Sequence, residues 1–306
     1  MRVAGIQAAP VFCDPQRTTD KVLTLMKEAS SGGAELCVFP ETFLAGYPFW
    51  LSRTGGARFN DPEQKAAYAA YVRGAVAPDG PEIEAVVAAA AELGVFTYLG
   101  FVELSASGGS VYASLAAVHP ERGVVSIHRK LRPTYEERLV WSSGDGHGLA
   151  VHDWGGFRVG GLNCWENWMP LARHSLYAQG EQVHIATWPG SPWLTRDITR
   201  FIALEGRVYV ISTGGVLSAS DIPSGFPLKD KLGTADRFMT GGTCIVGPDG
   251  KGIAGPVKGD ETIVYADLDV DAVLAERQNF DPAGHYFRPD VFNVTVDTDR
   301  QEPLTQ

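Results

Sequence analysis

The side chains able to do covalent chemistry in this chain gather in three short segments. Cys164 lies in Gly161-Leu162-Asn163-Cys164-Trp165-Glu166-Asn167-Trp168-Met169-Pro170, just after the apolar run Phe157 to Leu162, where a strand would hand a thiol to a helix start. The thiolate is the attacking form of cysteine, and helix starts and neighbouring cations lower a thiol's pKa, so the position suits a nucleophile. Taken alone, Cys164 reads equally as a small buried apolar side chain. Glu41 follows the apolar run Leu36 to Phe39, a candidate general base just past the carboxyl end of a buried strand, or by itself a helix-start carboxylate. Lys130 closes the run Val124-Val125-Ser126-Ile127-His128-Arg129, and Glu137 follows in the pair Glu136-Glu137 before Arg138. Each of these two, read singly, is a surface charge. A carboxylate, an ammonium and a thiol, each at the carboxyl end of a separate strand, match the place where open α/β sheets assemble their sites.

On these residues the chain resembles the nitrilase superfamily. Phe39-Pro40-Glu41 looks like that family's base motif, His128-Arg129-Lys130-Leu131 its lysine motif and Asn163-Cys164-Trp165-Glu166 its nucleophile motif, with Glu137 in the place of the second glutamate. Trp165 and Glu166 after the cysteine, Gly46-Tyr47-Pro48-Phe49-Trp50 and Gly284-His285-Tyr286-Phe287-Arg288-Pro289 look like the true nitrilase branch; amidase-like members carry Tyr or Phe and then Asp after the cysteine. The resemblance implies hydrolysis of an organic nitrile to its carboxylic acid and ammonia. Glu41 would take the thiol proton, Cys164 would form a thioimidate and then a thioester, and Lys130, helped by backbone amides after Cys164, would donate to the charged nitrogen. Glu137 would hold the ammonium and position the substrate. No cofactor and no metal is expected, since neither H-E-x-x-H, paired C-x-x-C nor a phosphate loop occurs.

The elements that must position these residues alternate along the chain. Val22, Leu25, Met26 and Ala29, and again Ile83, Val86, Val87 and Ala90, fall at i, i+3, i+4 and i+7, predicting two amphipathic helices. Strands are predicted at 2–8, 95–102, 111–118, 123–128, 183–186, 209–212 and 262–268, with a hairpin around Gly247-Pro248-Asp249-Gly250 and a short helix near 271–277. The alternation supports an α/β fold; the resemblance makes it an α-β-β-α sandwich, one domain over residues 1–291 followed by a short polar tail, 292–306. Tyr47, Trp50, Trp165, Trp188 and Trp193 flank the motifs and are candidate walls for the substrate's organic part, each with core packing as its alternative. Cys13, Cys37 and Cys244 read as structural.

Composition narrows the classes. In a chain of 306 residues, 44% hydrophobic and 20% charged, a net charge of −10 offers no footprint for nucleic acid or an anionic membrane. No apolar stretch approaches the ~18 residues of a membrane span. The amino terminus enters a strand without a signal core, and the four cysteines are widely spaced, so a cytoplasmic enzyme is expected. The resemblance implies a homodimer or higher homo-oligomer, paired through helices bordering the site. Alternatives within the superfamily are an amidase, a carbamoylase or a cyanide-hydrolysing enzyme. Outside it stand a Cys-His hydrolase using His128, His184 or His285 with Asn163 or Asn167, and a catalytically silent binding protein.

Overall fold

Strands in both halves of the chain follow one plan, a parallel centre flanked by antiparallel strands. The computed structural model describes residues 1–233 and 236–302. The first sheet holds β1 (Arg2–Gln7), β2 (Leu36–Val38), β3 (Phe96–Leu104), β4 (Val111–His119) and β5 (Gly123–Arg129). The second holds β6 (His152–Trp154), β7 (Phe157–Asn163), β8 (Val183–Trp188) and β9 (Tyr209–Gly214). A separate hairpin pairs β10 (Val216–Ser218) with β11 (Arg237–Thr240); β12 (Cys244–Val246) and β13 (Gly252–Ala254) extend the second sheet, and β14 (Thr262–Asp267) returns to the first. The orders are β14-β1-β2-β3-β4-β5 and β13-β12-β9-β8-β7-β6. In the first sheet β1, β2 and β3 run parallel, and in the second β7, β8 and β9.

Helices α1 (Pro15–Ser31), α2 (Trp50–Thr54), α3 (Pro62–Arg73) and α4 (Pro81–Leu93) lie in the first half, and α5 (Pro170–Tyr177), α6 (Pro192–Gly206) and α7 (Val270–Arg277) in the second. Side-chain alternation along the strands divides the core into layers. Ala4 and Ile6 of β1 face the stripe Val22, Met26, Ile83, Val86 of α1 and α4. Val3, Leu36, Phe96 and Leu115 face the other way, onto Val159, Ile185 and Ile211 of the second sheet. Ala186 and Val210 carry Ile198 and Ile202 of α6 on the second sheet's outer face. The result is the expected α-β-β-α sandwich.

α1 begins where the sequence dictates: the Asp14 side chain accepts from the Arg17 N–H at 3.0 Å, and Pro15 takes the first helical position. Helices α2, α3, α5 and α6 and strands β6, β10 and β11 stand outside the sequence expectations. In α6 the buried face includes Thr195, Ile198, Thr199 and Ile202, while Trp193 and Phe201 lie outside. Part of the polar tail packs on the sandwich: Arg300 donates to Asp145 at 3.0 Å and to the Ile127 carbonyl at 2.6 Å. Its residues 303–306 lie outside the described residues.

Candidate active site

Four strand ends and turns place the reactive groups. Past β2, the Phe39 N–H donates to Tyr98 O at 2.8 Å and the Leu44 N–H to Gly100 O at 3.1 Å, so the Glu41 segment crosses β3 on its backbone. A Cβ at Gly100 would sit 2.1 Å from Pro40 O and 2.9 Å from Glu41 Cα, so only glycine permits this crossing. Thr42, β-branched, is held at φ +48, a conformation that costs energy and persists because its surroundings impose it.

Lys130 leaves the end of β5 with its N–H on Ala113 O at 2.8 Å, and its side chain is fully buried. Its ammonium donates to Glu41 Oε1 at 2.8 Å and to Glu137 Oε2 at 2.7 Å, and lies 5.2 Å from the centre of the Trp141 ring. Glu137 is therefore not the surface charge its neighbours suggest. It sits in the turn Tyr135–Leu139, where Oε2 also accepts from the Thr134 N–H at 2.6 Å and Oε1 from the Tyr47 hydroxyl at 2.9 Å. Cys164 follows β7 at φ +51, opening a short 3-10 turn, and is buried. Its Sγ, a carboxylate oxygen of Glu41 and one of Glu137 lie within 4.8 Å of one another. Such a trio could ligate a cation, but the Lys130 ammonium already bridges the two carboxylates.

Two side chains behind the turn set its shape. The Glu166 carboxylate accepts from the Asn163 N–H at 3.0 Å, the Leu131 N–H and His128 Nε2 at 3.0 Å, tying the lysine strand to the cysteine turn. Asn167 Nδ2 donates to Cys164 O at 2.9 Å and Leu162 O at 3.2 Å; its Oδ1 accepts from His184 Nε2 at 2.7 Å, and His184 Nδ1 faces Glu181 at 3.0 Å. His128 and His184 thus face Glu166, Asn167 and Glu181 rather than the thiol, and His285 is exposed with its ring against Tyr286, so none of the three histidines named for a Cys-His pairing is seen to pair with Cys164.

The expectation that a helix start and a cation would depress the Cys164 thiol is corrected. Burial, and then the Glu41 charge, push it well above the ordinary cysteine value, against the pull of Lys130 and the Trp165 N–H. A five-residue turn has too little dipole to reverse this. Burial likewise pushes Glu41 up to about 8, with Lys130 opposing and Glu137 adding. Burial works against the Lys130 charge, but the Cys164 sulfur and the two carboxylates outweigh it and hold the ammonium above the usual lysine range. Glu41 Oε2 is buried with no hydrogen-bond partner among the described residues, which leaves this carboxyl one open acceptor.

A cavity of about 250 Å³ opens onto Cys164 and Glu137. Tyr47, Trp165 and Trp188 line it, and the Trp188 ring is fixed by its Nε1–H on Ser212 Oγ at 2.9 Å. Trp50 and Trp193 do not. Trp50 turns into the core against Tyr71, ring centres 4.9 Å apart, because the α2 turn points it away from its neighbour Phe49. Trp193 is 81% exposed, and one step along α6 Leu194 takes the wall instead. Phe49, Arg53, Phe238 and Met239 are also among the lining residues; β11, which carries the last two, has no signature in the sequence.

Comparison with known proteins follows the same lines. The carbon-nitrogen hydrolase family matches residues 2–278. The chain is 40% identical over 294 residues to a protein named nitrilase 2 from an unknown prokaryotic organism, covering 95% of this chain and 90% of that one. It is 39% identical to an aliphatic nitrilase of Sinorhizobium fredii, covering 97% and 95%. The crystal structure of Saccharomyces cerevisiae Nit3, a member of branch 10 of the nitrilase superfamily, shares the fold with a TM-score of 0.71 at 17% identity, over 94% of this chain and 96% of that one.

Proposed function

The chain belongs to the carbon-nitrogen hydrolase family, and from that premise we propose that it is a nitrilase, turning an organic nitrile and two waters into a carboxylic acid and ammonia. The observation that carries the reading is the buried Lys130 ammonium bridging Glu41 and Glu137, with the Cys164 sulfur within 4.8 Å of both carboxylates. The nitrilase names of its relatives support it.

Glu41 accepts the thiol proton as Sγ bonds to the nitrile carbon, so the charge of the nucleophile is created only as it is consumed. The nitrile nitrogen gains negative charge, which Lys130 and the Trp165 N–H are placed to meet; the proton Glu41 took from sulfur passes through Lys130 to nitrogen, leaving a neutral thioimidate and Glu41 ionised again. Water adds with Glu41 as base; the nitrogen is protonated, the C–N bond breaks and ammonia departs, leaving a thioester. A second water cleaves the C–S bond, the acid leaves and the proton returns to sulfur. Glu137 holds Lys130 in place and meets the substrate end of the cavity.

The test is acid and ammonia release from matched nitriles and amides, with Cys164→Ala alongside. Acid from nitriles, lost in the variant, is expected. Turnover of amides alone would move the chain to the amidase branch, and full activity in the variant would end the assignment.

The same reading extends to assembly. Trp168, Met169 and Leu171 by the cysteine turn, and Trp193 and Phe201 on α6, expose large apolar side chains that a second copy would cover. A homodimer is the expected species, and Leu171→Glu with Phe201→Glu should yield monomers by sedimentation. The four cysteines are free, which suits the reducing cytoplasm, and cell fractionation checks that placement.

A further inference from the structure

Among the described residues that line the cavity, Arg53 is the one whose charge the reacting groups do not match. It lies on α2, and its guanidinium sits over the Phe238 ring, 4.4 Å from the centroid. Phe238 in turn stacks on Phe49, 4.6 Å apart and 16° from parallel, so the guanidinium rests against a stiff aromatic wall. Its one hydrogen bond among the described residues is a long one, Nη1 to Leu232 O at 3.4 Å, and no carboxylate pairs with it there. At the other end of the cavity Lys130 is answered by both Glu41 and Glu137. Arg53 therefore lines the cavity as an exposed guanidinium, a planar set of N–H donors with no protein anion to receive it among the described residues. That fork matches a carboxylate in a bidentate pair, and stacking on an aromatic face pre-orders it at little entropic cost.

We propose that Arg53 selects substrates carrying a carboxylate at the end remote from the nitrile, so that this nitrilase acts on short cyano-carboxylates. The inference rests on the nitrilase reading. A cavity of about 250 Å³ lies at or below the usual range for ligand pockets, which suits a short chain better than a large ring system. In the bound substrate the nitrile carbon meets the Cys164 sulfur, the methylenes cross Trp188 and Phe49, and the carboxylate meets Arg53.

The experiment measures kcat/KM for cyanoacetate, 3-cyanopropanoate and 4-cyanobutanoate against their methyl esters, in the native enzyme, Arg53→Met and Arg53→Lys. The native enzyme should prefer at least one acid over its ester by roughly tenfold or more. The preference should collapse toward unity in Arg53→Met and return in part in Arg53→Lys, with the change in KM rather than kcat. A merely structural role lowers acid and ester together and leaves their ratio unmoved, which would overturn the proposal. So would native preference for the esters, or a preference that survives Arg53→Met. Calorimetric titration of glutarate, a product of this class, into Cys164→Ala with and without Arg53→Met reads the same contact without turnover, and equal affinity would also overturn it. Should the native protein hydrolyse no nitrile at all, the nitrilase reading falls while the glutarate titration still decides Arg53.

Discussion

The two ends of the cavity are built differently. At the reacting end the Lys130 ammonium is fully buried, bonded to two carboxylates, and those carboxylates come from separate elements, the loop after β2 and the turn Tyr135–Leu139. At the mouth Arg53 is exposed, Leu194 and Trp165 are half exposed, and the wall is borrowed from a short helix, a helix start and a hairpin. The difference teaches that the reacting geometry is enforced by the whole fold, whereas the mouth is set by side chains whose replacement leaves the sandwich standing. Low dielectric and mutual bonding make the first end intolerant of change.

Lys130→Met is the hardest blow to that contrast. It strips a buried cation from between two carboxylates, so turnover should fall on the order of a thousandfold or more, and stability should drop by roughly 3–5 kcal/mol, read by urea denaturation. Retention of either would show that the reacting end is looser than its bonds suggest.

Glu166→Gln comes next. It weakens the tie between the Asn163 and Leu131 amides, and kcat should fall roughly 10- to 100-fold, as for other supports of reacting groups. Because the Glu166 charge helps to raise Glu41, the acidic limb of the pH profile should also move to lower pH, a change that a general loosening would not produce.

The pH dependence of the native enzyme follows from the same carboxyl group. Glu41 must be ionised to take the thiol proton, and its value is raised to about 8, so the competent form gains as pH rises through that value. kcat/KM should therefore climb from about pH 6 through 8 and level only above about pH 9. A profile flat down to pH 5 would contradict the buried base.

The smallest effect belongs to the mouth. Leu194→Ala should shift the ratio of kcat/KM between an alkyl nitrile and a bulkier one by about tenfold, while stability changes by under about 1 kcal/mol because Leu194 is half exposed. A large loss of stability would join the mouth to the reacting end and erase the distinction.

Legibility in the sequence divides along the same line. Glu41, Lys130 and Cys164 each close an apolar run, and α1, α4 and the central strands announce themselves by periodicity. Glu137 was visible through resemblance alone, since Glu136-Glu137-Arg138 reads as a surface cluster. Yet Thr134-x-x-Glu137 and Asn163-x-x-Glu166 share one pattern, a capping box, and the structure contains both. That signature could have marked Glu137 and Glu166 as turn-forming acids, though not that one would meet Lys130 and the other Leu131. Arg53, Phe238 and Leu194 had no such mark. Their meeting depends on how α2, α6 and β11 close over Cys164, a long-range matter that local pattern does not carry.

The most direct test of the covalent route is the intact mass of the enzyme quenched in acid during steady turnover of a good nitrile, followed by peptide mapping. A mass increase matching the thioimidate or acyl group is expected on the peptide containing Cys164, absent in Cys164→Ser. Undiminished turnover with no adduct, or an adduct on Cys13, Cys37 or Cys244 in its place, would contradict it.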